Sequence, residues 1–159
     1  MEHLYYLVAQ LPASSVNDDS SQKLPLTVGY FKDLCSRFMS EKSAKLAEKL
    51  TLEPPVEPVS TGSVFLDEWY EKERCLRLAL AQIRALKMKK DIKDLPSASD
   101  GESIQAARTA TGMDSPLAAE QYLNQYRLGI LDRISPLDNF SVDAVYSYGL
   151  KLMLAERMK

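Results

Sequence analysis

The 159-residue chain has ordinary globular composition, 45% apolar and 26% charged, and is long enough for a single domain whose core needs no staples. Its net charge of −2 argues against nucleic acid as the main partner, because binding by counterion release needs a surplus of Lys and Arg. No apolar run approaches the roughly 18 residues of a membrane span, which argues against direct membrane insertion.

In chain order, Leu4 to Leu11 is short, apolar and aromatic and ends at Pro12. Tyr5, Tyr6 and Val8 favour a strand, but a lone strand finds no partner in this sequence. The segment therefore reads as extended or helical chain packed on the core. The leading residues lack the basic start and small-residue cleavage site of a signal peptide. Cys35 and Cys75 each fall within a helical pattern, so a cytoplasmic location with two reduced, buried thiols is expected. Residues 12–26 are polar and Ser-rich and read as a surface loop.

Thr27 has the chemistry of an N-cap, with Leu26 and Phe31 placed as a hydrophobic staple, and the helix it starts runs through Leu34, Cys35 and Phe38. Ser40 caps a second helix with Ala44, Ala47 and Leu50 on its inner side. Residues 51–62 follow as a connector that Pro54, Pro55 and Pro58 keep out of helix.

Ser63 to Lys90 predicts a long central helix. Phe65, Trp69, Leu76, Leu80 and Ile83, flanked by Cys75, Ala79 and Leu86, fall within an arc of about 140° at 100° per residue. Asp67, Glu68 and Glu71 lie early and Lys87, Lys89 and Lys90 late, as the helix dipole favours. Trp69 reads as core, or as an interface anchor if partly exposed. Arg74, Arg77 and Arg84 fall on the opposite side. They form either a solvated face paired with Glu71 and Glu73 or a docking surface for an acidic partner.

Residues 91–113 carry few large apolar side chains and predict a mobile excursion with at most one helical turn near Glu102 to Ala107. Ser115-Pro116 starts a further helix through Leu123, Tyr126, Ile130 and Ile134, ended by Ser135-Pro136. Ser141, stapled by Phe140 and Val145, starts the last helix, which buries Val145, Tyr148 and Leu152. Their short link makes these two helices antiparallel neighbours. Gly129 and Gly149, matched in distance from the turn, are expected to face each other at a close crossing. The expected fold is an all-α, irregular helical bundle in one domain, 1–159, with a long central helix and a C-terminal antiparallel hairpin.

Chemistry is sparse. The single His3 and the two separated cysteines do not make a metal-binding set, and the six glycines form no phosphate-cradling loop. Asp67 and Glu71 are an i, i+4 pair on a solvated face. Tyr122, Tyr126, Tyr146 and Tyr148 form an aromatic group suited to a core or an interface. No catalytic residue, metal, cofactor or small-molecule substrate is expected. An enzyme working through Tyr and carboxylates alone would need a pocket holding a carboxylate of raised pKa, on which nothing in the sequence converges.

Three segments carry a resemblance: LYYLVAQLP at the start, FLDEWYEKERCLRLALAQIRALKMKK in the middle, and AAEQYLNQYRLGILDRISPLDNFSVDAVYSYGLKLMLAERMK at the end. Together they resemble a bacterial family of unknown function whose genes accompany those of the V/A-type ATP synthase. They are more weakly similar to the C (or d) component of that machine, an all-helical protein coupling the central stalk to the membrane ring. Tyr148, Lys151 and Arg157 carry that second similarity, as an aromatic-Lys-Arg pattern on a closing helix. The chain is much shorter than that coupling protein and shows no clear threefold repeat. The resemblance implies a non-catalytic subunit or assembly factor, cytoplasmic or peripheral to the membrane, whose partners are other ATPase subunits. The candidate protein-contact residues are then Arg74, Arg77, Arg84, Tyr148, Lys151 and Arg157. The alternative is a helical adaptor protein unrelated to the ATPase.

Overall fold

The computed structural model describes residues 4–12, 26–55, 60–88 and 100–158, and the described chain is all-α. His3, most of the 12–26 loop, residues 56–59 of the connector and residues 89–99 lie outside the described residues. Seven helices are present among the described residues: α1 (Tyr5–Ala9), α2 (Val28–Phe38), α3 (Glu41–Glu48), α4 (Val64–Lys87), α5 (Gly101–Thr111), α6 (Pro116–Ile134) and α7 (Val142–Arg157). Among the described residues, no helix is long and apolar enough to cross a membrane.

Six of the seven begin at a side-chain cap. The hydroxyls of Thr27, Ser40, Ser63, Ser115 and Ser141 each accept the backbone N–H three residues on, at 3.1 to 3.3 Å, and Asp100 accepts from Glu102 at 3.0 Å. The start of α4 is tied down further. Gly62 adopts φ +92°, in the left-handed region open to glycine, and the chain bends there. Thr61 then reaches forward to donate from its N–H and hydroxyl to Asp67 Oδ1, at 2.9 and 2.8 Å. Asp67 is therefore half of a turn closure, not a free carboxylate.

Of the segment expected to be a mobile excursion, 91–113, the described part, residues 100–113, is largely helix, and residues 91–99 lie outside the described residues. Gly101–Thr111 forms α5, set between α4 and α6. Its buried positions, Ser103, Ala106, Ala107 and Ala110, keep the i, i+3, i+4, i+7 spacing of an amphipathic helix in residues too small to register as apolar. Lys72 pairs with Asp100 and Lys87 with the Thr111 carbonyl, so α5 runs in the same direction as α4. Helix α6 runs against both, with Glu73 meeting Arg127 and Glu102 meeting Arg133. On the other side, Ser135 meets Ser147 and Asp132 meets Lys151, at growing distances from the turn on both α6 and α7.

Two hydrophobic clusters result, and α4 and α6 contribute to both. The larger gathers Leu7, Phe31, Leu34, Cys35, Trp69, Tyr146, Leu150 and Leu154 from α1, α2, α4 and α7, with Leu128, Ile130 and Leu131 of α6. The smaller holds Leu76, Ala79 and Leu80 of α4, Ala106, Ala107 and Ala110 of α5, and Leu123 of α6. Tyr126 packs against both.

Several expectations need correction. Gly149 is buried and does not face Gly129. A Cβ on Gly149 would lie 2.5 Å from Phe31 Cε1 and 3.1 Å from Leu50 Cδ1, whereas one on Gly129 would meet nothing within 4 Å. The close approach is between α7 and the α2–α3 layer, so equal distance from the turn was not enough to fix which faces meet. Leu86 is 60% exposed, because the stripe on α4 runs past the end of the layer that covers it. Trp69 is fully buried and serves as core.

Candidate protein-contact surfaces

The six residues singled out in the sequence separate into distinct environments. Arg74, expected to be solvated, is only 16% exposed at its side chain. It pairs with Glu71 Oε2 at 2.5 Å and donates to the Pro55 carbonyl at 3.2 Å, clamping the connector onto α4. Arg77 donates from Nε to Glu73 Oε1 at 3.0 Å. Its partner is not on a solvated face: Glu73 is 2% exposed. Arg84 and Arg157 are exposed and make no ion pair among the described residues.

Tyr148 and Lys151 line one cleft of about 460 Å³ between α1 and the α6–α7 link, together with Val8, Pro12, Ser135 and Ser147. Tyr148 Oη donates to the Pro12 carbonyl at 2.8 Å, and its ring stacks on Phe31 with centroids 5.9 Å apart. Partial burial raises the phenol above its ordinary pKa, so it remains a neutral donor at physiological pH. Lys151 Nζ lies 2.6 Å from Asp132 Oδ1 across α6 and α7. Deeper in the cleft the Ser135 and Ser147 hydroxyls meet at 2.5 Å, and Ser135 Oγ also donates to the Leu131 carbonyl. Tyr148 and Lys151 thus bind the chain to itself. The opening segment is anchored a second time just ahead of α7, since the Leu4 N–H donates to the Phe140 carbonyl at 2.9 Å and Tyr5 packs on Phe140 at 4.5 Å.

The sequence reading missed a buried polar layer. Arg127 Nε donates to Glu73 Oε2 at 3.0 Å and to Oε1 at 3.2 Å, with Nη2 3.0 Å from Oε1, while Nη1 donates to Asn124 Oδ1 at 3.1 Å. Glu73, Asn124 and Arg127 are at most 6% exposed. The layer sits between Trp69 and Leu76 on α4 and between Leu123 and Leu128 on α6, where one hydrophobic cluster gives way to the other. A signal was available. Glu73 occupies the i+4 position of the Trp69, Leu76, Leu80 stripe, and Arg127 the i+4 position of the Leu123, Ile130, Ile134 stripe. Opposite charges at matched places in two apolar stripes are what a buried pair requires.

Cys35 is buried, which pushes its thiol up to about 12 and keeps it protonated and unreactive. Among the described residues no group of three or more His, Cys, Asp and Glu side chains is placed to hold a metal ion. Comparison with protein-family models, with curated proteins and with solved structures finds no match to this chain.

Proposed function

We propose that this chain is a non-catalytic subunit or assembly factor of a V/A-type ATP synthase, resembling the component that couples its central stalk to the membrane ring, and that it acts through helix-mediated protein contacts. One observation carries most of the support: the three segments that bear the resemblance pack on one another. The opening LYYLVAQLP is held at α7 through Phe140 and Tyr148, and the central helix is held by α6 through the Glu73–Arg127 pair. Of the candidate contact residues, Arg84 and Arg157 are the exposed ones without an ion pair among the described residues, so they are the ones offered to a partner.

The test is affinity purification of the tagged chain from detergent-solubilised membranes of the cells that carry its gene. The A, B or D subunits of the ATPase should co-purify, and Arg84→Glu with Arg157→Glu should reduce their recovery. Consistent absence of all three sinks the ATPase reading. A stoichiometric partner in the soluble fraction, without them, establishes the adaptor.

A further inference from the structure

Ala144, Ser147, Tyr148 and Lys151 lie at i, i+3, i+4 and i+7 on one face of α7, which α1 and the α6–α7 link flank without filling. Helix α1 spans only five residues, and Ala144 and Ser147 are small, so a cleft of about 460 Å³ remains. That volume lies within the roughly 300–1,000 Å³ usual for small-molecule sites. Val8, Leu11, Pro136 and Val145 supply apolar walls. The Ser135 hydroxyl gives its one hydrogen to the Leu131 carbonyl, so it accepts from Ser147, and Ser147 has none left to donate. Tyr148 likewise gives its hydrogen to the Pro12 carbonyl. Both hydroxyls of α7 in the cleft therefore present lone pairs alone. Lys151 is the opposite: its ammonium meets Asp132 and keeps further N–H groups to donate. Ser147 is 3% exposed and the Lys151 side chain 28%, which sets the acceptor deep and the cation at the mouth.

We propose that this cleft is a small-molecule site whose ligand is a monocarboxylate with a short apolar body and a hydroxyl group at its far end. The carboxylate meets the Lys151 ammonium, the body lies between the apolar walls, and the hydroxyl donates to Ser147 Oγ. Each part of that chemistry is selected by a group already in place. A cationic ligand is repelled at the mouth by Lys151. A dianion would set its second charge against the lone pairs of Ser147 and Tyr148. A ligand without a donor leaves the Ser147 oxygen desolvated and unmatched. Asp132 holds the ammonium without lining the cleft, so it does not occupy the site. The inference is independent of the ATPase reading. It gives a role to Tyr148 and Lys151, which that reading leaves turned toward the chain itself.

The test titrates the full chain with three probes, p-hydroxyphenylacetate, phenylacetate and p-cresol, and follows the amide chemical shifts. p-Hydroxyphenylacetate should bind with a Kd below about 1 mM and move the amides of Val8 and of residues 144–151. Phenylacetate lacks the donor and p-cresol the carboxylate, so each should bind at least ~5-fold more weakly. Two variants then separate the contacts. Lys151→Met keeps the aliphatic stem and loses only a partly exposed ion pair, so the fold is retained. It should weaken p-hydroxyphenylacetate at least ~10-fold and leave p-cresol unchanged. Ser147→Ala should erase the preference for p-hydroxyphenylacetate over phenylacetate. No saturation by p-hydroxyphenylacetate, shifts centred outside the cleft, or unchanged affinity in Lys151→Met overturns the proposal. Equal affinity of the wild type for p-hydroxyphenylacetate and phenylacetate overturns the part assigned to Ser147.

Discussion

Around Trp69, α4 packs against Phe31, Tyr146 and a set of leucines from four other helices, all but closed to solvent. About three turns further along, around Ala79, the same helix meets three alanines of α5 and one leucine of α6. The first region gathers elements distant in sequence, and large side chains fill the space between them. In the second, neighbouring helices approach closely because little stands between them. Between the two lie Glu73, Arg127 and Asn124. A hydrophobic seam along α4 and α6 could slide, but a charged pair fixes which residue of one helix faces which residue of the other. The contrast shows that one pair of helices supports two kinds of packing, each vulnerable to the opposite substitution.

The largest effect is expected in the first region. Trp69→Ala should cost about 3–5 kcal/mol, measured by chemical denaturation followed by circular dichroism. A loss below about 1.5 kcal/mol would mean that the larger cluster does not depend on this ring. Nearly as damaging should be Arg127→Met, at about 3–5 kcal/mol, since it leaves the Glu73 carboxylate buried without its main partner. The double variant Glu73→Leu, Arg127→Met should recover most of that loss. If it is as unstable as the single variant, the polar layer contributes more than a fixed register.

Smaller effects should separate the glycines by sign. Gly149→Leu forces a side chain against Phe31 and should destabilise by about 1–3 kcal/mol. Gly129→Ala, on an exposed face with open space around it, should stabilise by about 0.5–1 kcal/mol. Equal signs in thermal melts of the two variants would contradict the packing described for α7.

An effect as small as that of Gly129 concerns α5. Burial acts to raise the Asp100 carboxyl, but the Glu102 N–H, the Lys72 ammonium and the Ser103 hydroxyl outweigh it and hold the group below its ordinary value. A carboxylate whose folded pKa is depressed contributes stability that is complete above its unfolded pKa and is lost as pH falls through the folded one. Amide protection in α5 should therefore weaken on acidification below the ordinary carboxylate range, while that in α7 holds. Asp100→Asn should remove this step, and Asp100→Ala should cost about 1 kcal/mol at neutral pH through the lost cap.

Much of the fold was legible because its signals are local. Thr27, Ser40, Ser63, Ser115 and Ser141 mark helix starts by their own chemistry, and the stripe from Phe65 to Leu80 is read from one helix alone. Helix α5 escaped because hydrophobic periodicity is weighed by side-chain size, and alanines carry almost none; Asp100 was a cap signal that the small residues after it masked. The Glu73–Arg127 pair escaped for a different reason. Each charge lies inside its own helix's apolar stripe, but charged residues are ordinarily read as surface, and the reason for burying them appears only when the two stripes are laid side by side. The Gly149 contact was beyond local reading, since its partners lie on a different layer far back in the chain. Among the candidate contact residues, position on a helical wheel described Arg84 correctly. It misjudged Arg74, whose guanidinium is recruited by a carbonyl of the proline-rich connector.

The bond between Tyr148 and Pro12 joins residues 136 positions apart. A ribosome working at about 5–20 residues per second needs on the order of ten seconds to travel between them. For that interval Leu4 and Leu7, which end up buried, have been synthesised without the helix that later covers them. An apolar, aromatic stretch left uncovered for that interval is a natural client for a chaperone stationed at the exit tunnel. Truncation before α7 should therefore leave a product that is held by chaperones or degraded, because its first helix keeps its packing on α2 but loses its anchors at Phe140 and Tyr148.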